Sequence, residues 1–327
     1  MLTYLIRRLA IGAMTLFLIT FVIFALIRNM PGTPLTVNMA ETDPSKQMTP
    51  KRIKELEAAY GLDKPWPLAY VQWMQNVFQG DLGNSFSRKQ PVTKIIGDRI
   101  GPTLLLSVPA MILSYLLSIP LGLYCSARDG RPDERVLSTI LYMLYSFPSF
   151  VAALFLQLLF AVHWKLLPLY GMTSDNFEQL SLMGKTWDLF LHILMPITVF
   201  TYGGLAYDAR FIRANMQEVL RQDYIRTARA KGLSPVSVIW THAFRNTLIP
   251  LVTQLGLMLP ALLSGSIIVE QIFTWPGMGR QMFESIQERD YPTIMGLTLM
   301  FAVITLAAQL LADILYAIVD PRIRLDD

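Results

Sequence analysis

The chain has 327 residues, of which 53% are hydrophobic and only 16% charged, with a formal net charge of +4. Its mean hydropathy of +0.41 and low charge exclude an ordinary soluble domain, where about a quarter of residues are charged. The basic residues sit between apolar runs rather than along one face, which argues against a nucleic-acid surface, and the single cysteine, Cys125, excludes an intrachain disulfide or a cysteine-rich metal site.

Arg7 and Arg8 precede an apolar run from Leu9 to Ile27. At about 19 residues it exceeds the 7–15 of a signal-peptide core, and no A-x-A site follows before Pro31. It reads as an uncleaved first span, residues 1–30, with its N-terminus inside. A polar insert follows over 31–101. Thr49-Pro50 opens one predicted helix, with Ile53, Leu56 and Tyr60 at helical spacing and Gly61 at its end. Pro65 to Gln79 is a second, with Trp66, Tyr70, Trp73 or Met74, and Val77 along one side. Such an aromatic stripe either packs on the rest of the chain or at a membrane interface, or binds a ligand; packing is the reading preferred. Pro31-Gly32-Thr33-Pro34 and Gly80 to Ser85 are turn sequences.

Three apolar runs come next, Thr103–Ala127, Val136–Val162 and Leu189–Tyr207, and two more close the chain, Thr247–Ile272 and Pro292–Ala317. Each is near or above the roughly 20 residues that cross a bilayer. Together with the first run they predict an all-α membrane protein of six transmembrane helices. Residues 102–317 would form a five-span core, 210–246 its polar loop and 318–327 a tail. Fourteen Lys and Arg fall in the segments assigned inside, and four in the short outer loops, Lys165, Lys185, Arg280 and Arg289; the ten in the long first outer segment are set aside because long segments translocate largely regardless of charge. That bias places both termini and the 210–246 loop in the cytoplasm.

Pro109, Pro120, Pro148, Pro196, Pro250 and Pro260 lie within the runs. Each either kinks its helix beside a polar path or reflects the ordinary frequency of proline in membrane helices. Ser264-Gly265-Ser266 reads as a close helix contact. Glu270, near the outer end of the fifth run, is a candidate for the translocation path because an acid within a span is a functional hypothesis by default; the competing reading is a hydrated carboxylate near the surface. Asp313 is expected to pair with Arg322 or Arg324.

The most polar short stretch of the second half runs from Asp223 to Pro250. Asp223 can cap a short helix that Gly232 ends, and Ser234-Pro235 opens another over Val236 to Phe244. The first helix, Asp223, Tyr224, Ile225, Arg226, Thr227, Ala228, Arg229, Ala230, Lys231 and Gly232, alternates small residues with arginine and lysine. Small residues admit another surface, and arginines suit acidic partners. Composition alone leaves open a solvated loop that only sets topology.

This stretch resembles the cytoplasmic loop of ABC-importer permeases of the dipeptide and oligopeptide branch. The resemblance rests on Arg226 to Gly232, His242 to Asn246 and Pro250, with Arg226-Thr227-Ala228 where the broader permease family has Glu-Ala-Ala. It extends to Pro31–Pro34, Gly80–Ser85, Glu270 to Gly277, Arg289 to Pro292, Asp313 to Tyr316 and Asp320 to Arg322. It implies a type I importer permease core, with an extra N-terminal span and an extracytoplasmic helical insert, in the bacterial inner membrane. It also implies that Asp223–Gly232 is a coupling helix docking on a separate ATPase. The implied partners are a second homologous permease, two ATP-binding subunits that carry ATP and Mg, and an extracytoplasmic peptide-binding protein.

No G-x-x-x-x-G-K-[ST] occurs, so this chain has no usual phosphate cradle and reads as a transport subunit rather than an enzyme. His163, His192 and His242 are far apart and lack H-E-x-x-H spacing, so neither a metal site nor a membrane serine protease is expected. The alternative function is an ion-driven carrier or channel acting without an ATPase. Such proteins place acids or broken helices at mid-membrane and often carry internal repeats; the mid-span regions read here as uncharged and without repeat.

Overall fold

The apolar runs become helices whose ends are set by proline, glycine and capping serine. The computed structural model describes residues 2–29 and 63–319. The helix expected after Thr49-Pro50, and the partners expected for Asp313, lie outside the described residues.

Helix α1 (Leu2–Asn29) is followed by α2 (Trp66–Phe78), which Pro65 opens. The aromatic stripe of α2 packs on α1, as the packing reading expected. Tyr70 is buried, with its ring centroid 6.0 Å from Phe17 and 5.4 Å from both Phe21 and Phe24. Its hydroxyl shares a 2.9 Å hydrogen bond with Thr20. The polar end of an aromatic ring is thereby satisfied inside an apolar contact.

Helix α3 (Val92–Ala127) contains Pro102, Pro109 and Pro120 and still runs unbroken. It begins ten residues before the expected core, so the boundary at 101 falls inside a helix. The third run is not one helix. It divides into α4 (Pro132–Ser146) and α5 (Ser149–Leu156, continued by a π-helical turn over Gln157–His163), which meet at 92°. Pro148 causes the break: it has no N–H to donate and pushes Phe147 into an extended conformation. The Phe147 carbonyl is taken up by the Tyr202 hydroxyl at 2.9 Å.

Helix α6 (Leu182–Leu220) is capped by Ser181, whose side chain accepts from the Gly184 N–H. Its 39 residues make it about 58 Å long, far beyond the ~30 Å of a bilayer core. The predicted span Leu189–Tyr207 is only its middle, and the polar remainder extends the same rod. Helix α7 (Asp223–Ala230) follows; Pro235–Ser237 and a π-helical segment over Val238–Phe244 then lead into α8 (Arg245–Ser264). Gly265 (φ +68) stops α8, and Ser266 caps α9 (Ile267–Ile272). Ser264-Gly265-Ser266 is thus a helix break as well as the close helix contact expected: a Cβ on Gly265 would lie 3.1 Å from Thr103 Cγ2 of α3. α10 (Met278–Gln287) and α11 (Tyr291–Val319) complete the described chain.

By length and composition, α1, α3, α6, Pro250–Ile272 and the start of α11 are each able to cross a membrane, and the bent α4–α5 pair makes a sixth span. Large apolar side chains face outward on α1 (Leu9, Met14, Leu26) and α3 (Ile112, Leu116), as lipid contact requires. Inside, the most extensive helix pair is α3 with α6. Ser114, Ser118, Gly122 and Ser126 recur every fourth residue of α3, and the first two and last are buried with their glycine neighbour. A Cβ on Gly122 would lie 2.7 Å from Ile212 Cγ2 and 2.8 Å from the Ala209 carbonyl oxygen. In lipid, where apolar surface gains little from burial between helices, such backbone approach is what helix association uses.

At one end of this pair Arg213 of α6 reaches Glu134 and Asp129, each at 2.8 Å, and fixes the 128–131 turn to the rod. Arg210 lies over the Tyr142 ring at 4.0 Å.

Gly122→Val is expected to cost about 1–3 kcal/mol by overpacking, read as a lower melting temperature in detergent. Gly97→Ala, on the same helix with open space around it, is expected to leave that temperature unchanged or raise it, since alanine is the better helix former.

Candidate functional site

Helix α7 is eight residues long and too short to persist alone. Its seat holds it. Ile225 (0% exposed) and Ala228 (5%) face inward and pack with Leu123 of α3, Ile212 and Met216 of α6, Val238 and Ala243 of the π-helical segment, and Leu251 of α8. Gln222, not Asp223, occupies the extended cap position; it makes no side-chain cap, and Asp223 is the first helical residue, 3.3 Å from Arg226. Gly232, at φ +78, closes the helix as expected, its N–H donating to the Arg229 carbonyl at 2.9 Å. Ser234 caps the next turn by accepting from the Ser237 N–H at 3.2 Å.

Two separated motif segments meet here. Asn246 Nδ2 donates to the Tyr224 hydroxyl at 3.0 Å, tying the start of α8 to α7. The ten residues singled out in the sequence divide by face. Ile225 and Ala228 anchor the helix to its own chain, whereas Asp223, Tyr224, Arg226, Thr227, Arg229, Ala230, Lys231 and Gly232 are exposed. Of the small residues expected to admit another surface, Ala228 therefore faces inward, and Thr227 and Ala230 face out. The exposed face carries three basic groups on a short rigid stub, suited to a groove with acidic walls.

The far end of the bundle is organised by buried acids. Glu270 is 0% exposed. Its carboxylate accepts from the Arg280 N–H at 2.9 Å and from the Thr103 hydroxyl at 3.2 Å, while that hydroxyl accepts from the Met278 N–H at 2.7 Å. Gly265, Gly277 and Gly279 pack against it so tightly that a Cβ on any of them would fall within 3.1 Å of a carboxylate oxygen. Of the two readings of Glu270, the hydrated surface carboxylate is overturned: the carboxylate is buried and binds the chain's own backbone, because three glycines let α9 and the start of α10 close around it. Asp290, likewise 0% exposed, accepts from the Phe86 N–H at 2.8 Å and from the hydroxyls of Ser85, Ser87 (3.1 Å) and Thr293 (2.7 Å). Gly80–Ser85 and Arg289–Pro292, remote in sequence, are thus one structure. Glu284 joins it through Arg88 at 2.6 Å and Arg280 at 2.7 Å.

Sequence reasoning missed Asp208. It stands one residue beyond the apolar run Leu189–Tyr207 and so reads as loop, yet it lies inside α6 and is 0% exposed. It accepts from Ser114 Oγ of α3 at 2.8 Å and from Gln254 Nε2 of α8 at 2.6 Å. The available signal was helical spacing: Asp208, Ile212 and Met216 recur every fourth residue.

Comparison with known proteins agrees with this architecture. Residues 118–325 match the family of the binding-protein-dependent transport system inner membrane component, and residues 1–107 match the N-terminal region of such membrane components. The chain is 38% identical over 324 residues to the oligopeptide transport system permease protein AppB of Bacillus subtilis (strain 168), covering 99% of each chain. It is 36% identical over 340 residues to the dipeptide transport system permease protein DppB of Escherichia coli (strain K12), again covering 99% of each. Among solved structures, a chain of the inward-facing MetNI methionine ABC transporter superposes with a TM-score of 0.54 at 17% identity, covering 70% of this chain and 97% of that one. At that identity the likeness is one of fold.

Ile225→Ala is expected to loosen α7 from its seat at a cost of about 2–5 kcal/mol, seen as faster tryptic cleavage after Arg226 and Arg229; Ala230→Trp, on the exposed face, is expected to leave that rate unchanged. Glu270→Gln, which cannot accept at both oxygens, is expected to cost about 1–3 kcal/mol in thermal unfolding in detergent.

Proposed function

Because this chain belongs to the family of binding-protein-dependent transport system inner membrane components, we propose that it is the permease subunit of an ATP-driven ABC importer of peptides. The observation that carries this reading is the full-length similarity to permeases named for oligopeptide and dipeptide transport. It is a multi-pass inner-membrane protein. Its partners are ATPases and a binding protein; the arrangement we infer is this chain, a second homologous permease, two ATP-binding subunits that carry ATP and Mg, and one extracytoplasmic peptide-binding protein. The excess of Lys and Arg beside α7 supports cytoplasmic termini and a cytoplasmic α7.

In this reading α7 is the coupling helix. Its exposed face, Asp223, Tyr224, Arg226, Thr227, Ala230 and Lys231, enters a groove of the ATPase, and Ile225 and Ala228 fix it to the spans. When ATP draws the two ATPases together, each carries its α7 with it. The motion passes through Ile212 and Met216 into the long rod α6, and through Leu251 into α8. A rod of α6's length turns a small displacement at its cytoplasmic tip into a rotation of the membrane part, so that the path opens to the outside. Such a step requires only that the ATP-bound pair favour one arrangement of the spans over the other. At the opposite end, the Glu270 and Asp290 clusters hold α9, α10, the start of α11 and the Leu82–Pro91 turn as one plate, a firm surface for the binding protein.

Affinity purification of the detergent-solubilised protein from its native membrane, followed by mass spectrometry, tests the reading. Two ATPases and a second permease of similar size are expected to accompany the wild-type chain, and Ala230→Trp, inserted normally, is expected to lose the ATPases. A chain that purifies alone and moves a solute into liposomes without ATP would contradict it in favour of a carrier.

A further inference from the structure

Asp208 is 0% exposed inside α6, at a level where the contact with α3 is otherwise made by small residues. Burying a carboxylate is costly unless its oxygens are occupied, and here both are, by donors on two different helices. Ser114 Oγ of α3 reaches Oδ2 at 2.8 Å and Gln254 Nε2 of α8 reaches Oδ1 at 2.6 Å. Contact between α3 and α6 at this level is close: a Cβ on Gly204, one turn before Asp208, would lie 2.9 Å from Ser114 Oγ.

The same three helices build the seat of α7. One turn along α6 from Asp208 stands Ile212; three residues before Gln254 on α8 stands Leu251; two turns along α3 from Ser114 stands Gly122, beside Leu123. Gln254 also lies between Pro250 and Pro260, which remove two backbone hydrogen bonds from α8. Apolar packing between smooth helix faces resists separation but permits sliding, whereas a carboxylate held by two directional hydrogen bonds resists both.

We propose that Asp208 is a positioning residue for energy coupling: by bolting α3, α6 and α8 together directly above the α7 seat, it makes the three helices move as one block when α7 is displaced. The bolt works through hydrogen-bond geometry, not through charge. An asparagine at 208 accepts from Ser114 with its oxygen and donates through its amide to the oxygen of a flipped Gln254 side chain, an oxygen that is buried and unpartnered in the native arrangement. A leucine makes neither bond.

This inference rests on the permease reading above, and the test keeps the two apart. The complete complex, co-purified with its ATPases and reconstituted in liposomes, is assayed for ATP hydrolysis with and without binding protein and a peptide mixture. Stimulation by peptide-loaded binding protein in the wild type is the control for the permease reading; its absence would overturn that reading and the inference with it. Given stimulation, Asp208→Leu is expected to keep basal hydrolysis within about twofold and to lower the stimulation ratio about 10-fold, and Asp208→Asn to restore the ratio to near wild type. A wild-type ratio in Asp208→Leu would overturn the proposal, as would an Asp208→Asn variant as defective as Asp208→Leu, since that result assigns the role to charge. Should Asp208→Leu not assemble, Gln254→Met decides: it cuts the tie to α8 and leaves Ser114 in place. A lowered ratio then supports the bolt, and an unchanged one rejects it.

Discussion

The close approach of α3 and α6 is the contact on which the rest of the structure depends. Lipid offers no hydrophobic gain for bringing two apolar helices together, so the pair relies on backbone proximity and on polar ties. Small residues on every fourth position of α3 supply the first, and Asp208 with Ser114 supplies the second. Because Gly122 leaves no room beside Ile212, the side chain that supports α7 is held by the same contact. A short basic helix with no stability of its own is thereby presented as a rigid projection.

The two ends of the bundle are held together by different chemistry. At the end away from α7, the buried carboxylates of Glu270 and Asp290 gather turns whose backbone N–H groups have no helical partner, and the result is a fixed plate. Thr274 and Arg289 adopt positive φ there, at 53° and 54°, a conformation that costs energy for residues other than glycine and persists only where its surroundings over-determine it. At the other end, the seat of α7 is apolar apart from the Tyr224–Asn246 tie, and basic residues divide between structure and display. Arg213 is spent on Asp129 and Glu134, and Arg210 lies on Tyr142, whereas the arginines and lysine of α7 remain on its surface.

Much of this was legible in the sequence where the signal is local. Run lengths told the spans, Gly232 and Ser234-Pro235 told the ends of the helices around α7, and the aromatic stripe of α2 told its packing. What was not legible depended on partners distant in the chain. Hydropathy averages cannot show that α6 continues as a rod past its apolar middle, or that Pro148 divides its run whereas Pro109, Pro120 and Pro196 leave theirs unbroken. Glu270 reads as a path residue or a hydrated acid until Gly265, Gly277 and Gly279 close over it. Asp208 reads as loop until Ser114 and Gln254 arrive from other helices. Ala228 reads as a surface small residue because helical spacing alone does not say which face of a short amphipathic helix meets its own protein.

The most direct test of the account is the accessibility of the outward face of α7 in the assembled transporter. Cys125 is buried, so a cysteine placed at Ala230 can be followed with a membrane-impermeant thiol reagent against a low background, in inside-out vesicles with the ATPases bound and after their removal. The account predicts rapid labelling of the stripped permease and strong protection in the complex, with the cysteine reached only from the cytoplasmic side. Equal labelling in both, or labelling from the outside, would contradict the claim that this helix is where the permease meets its motor.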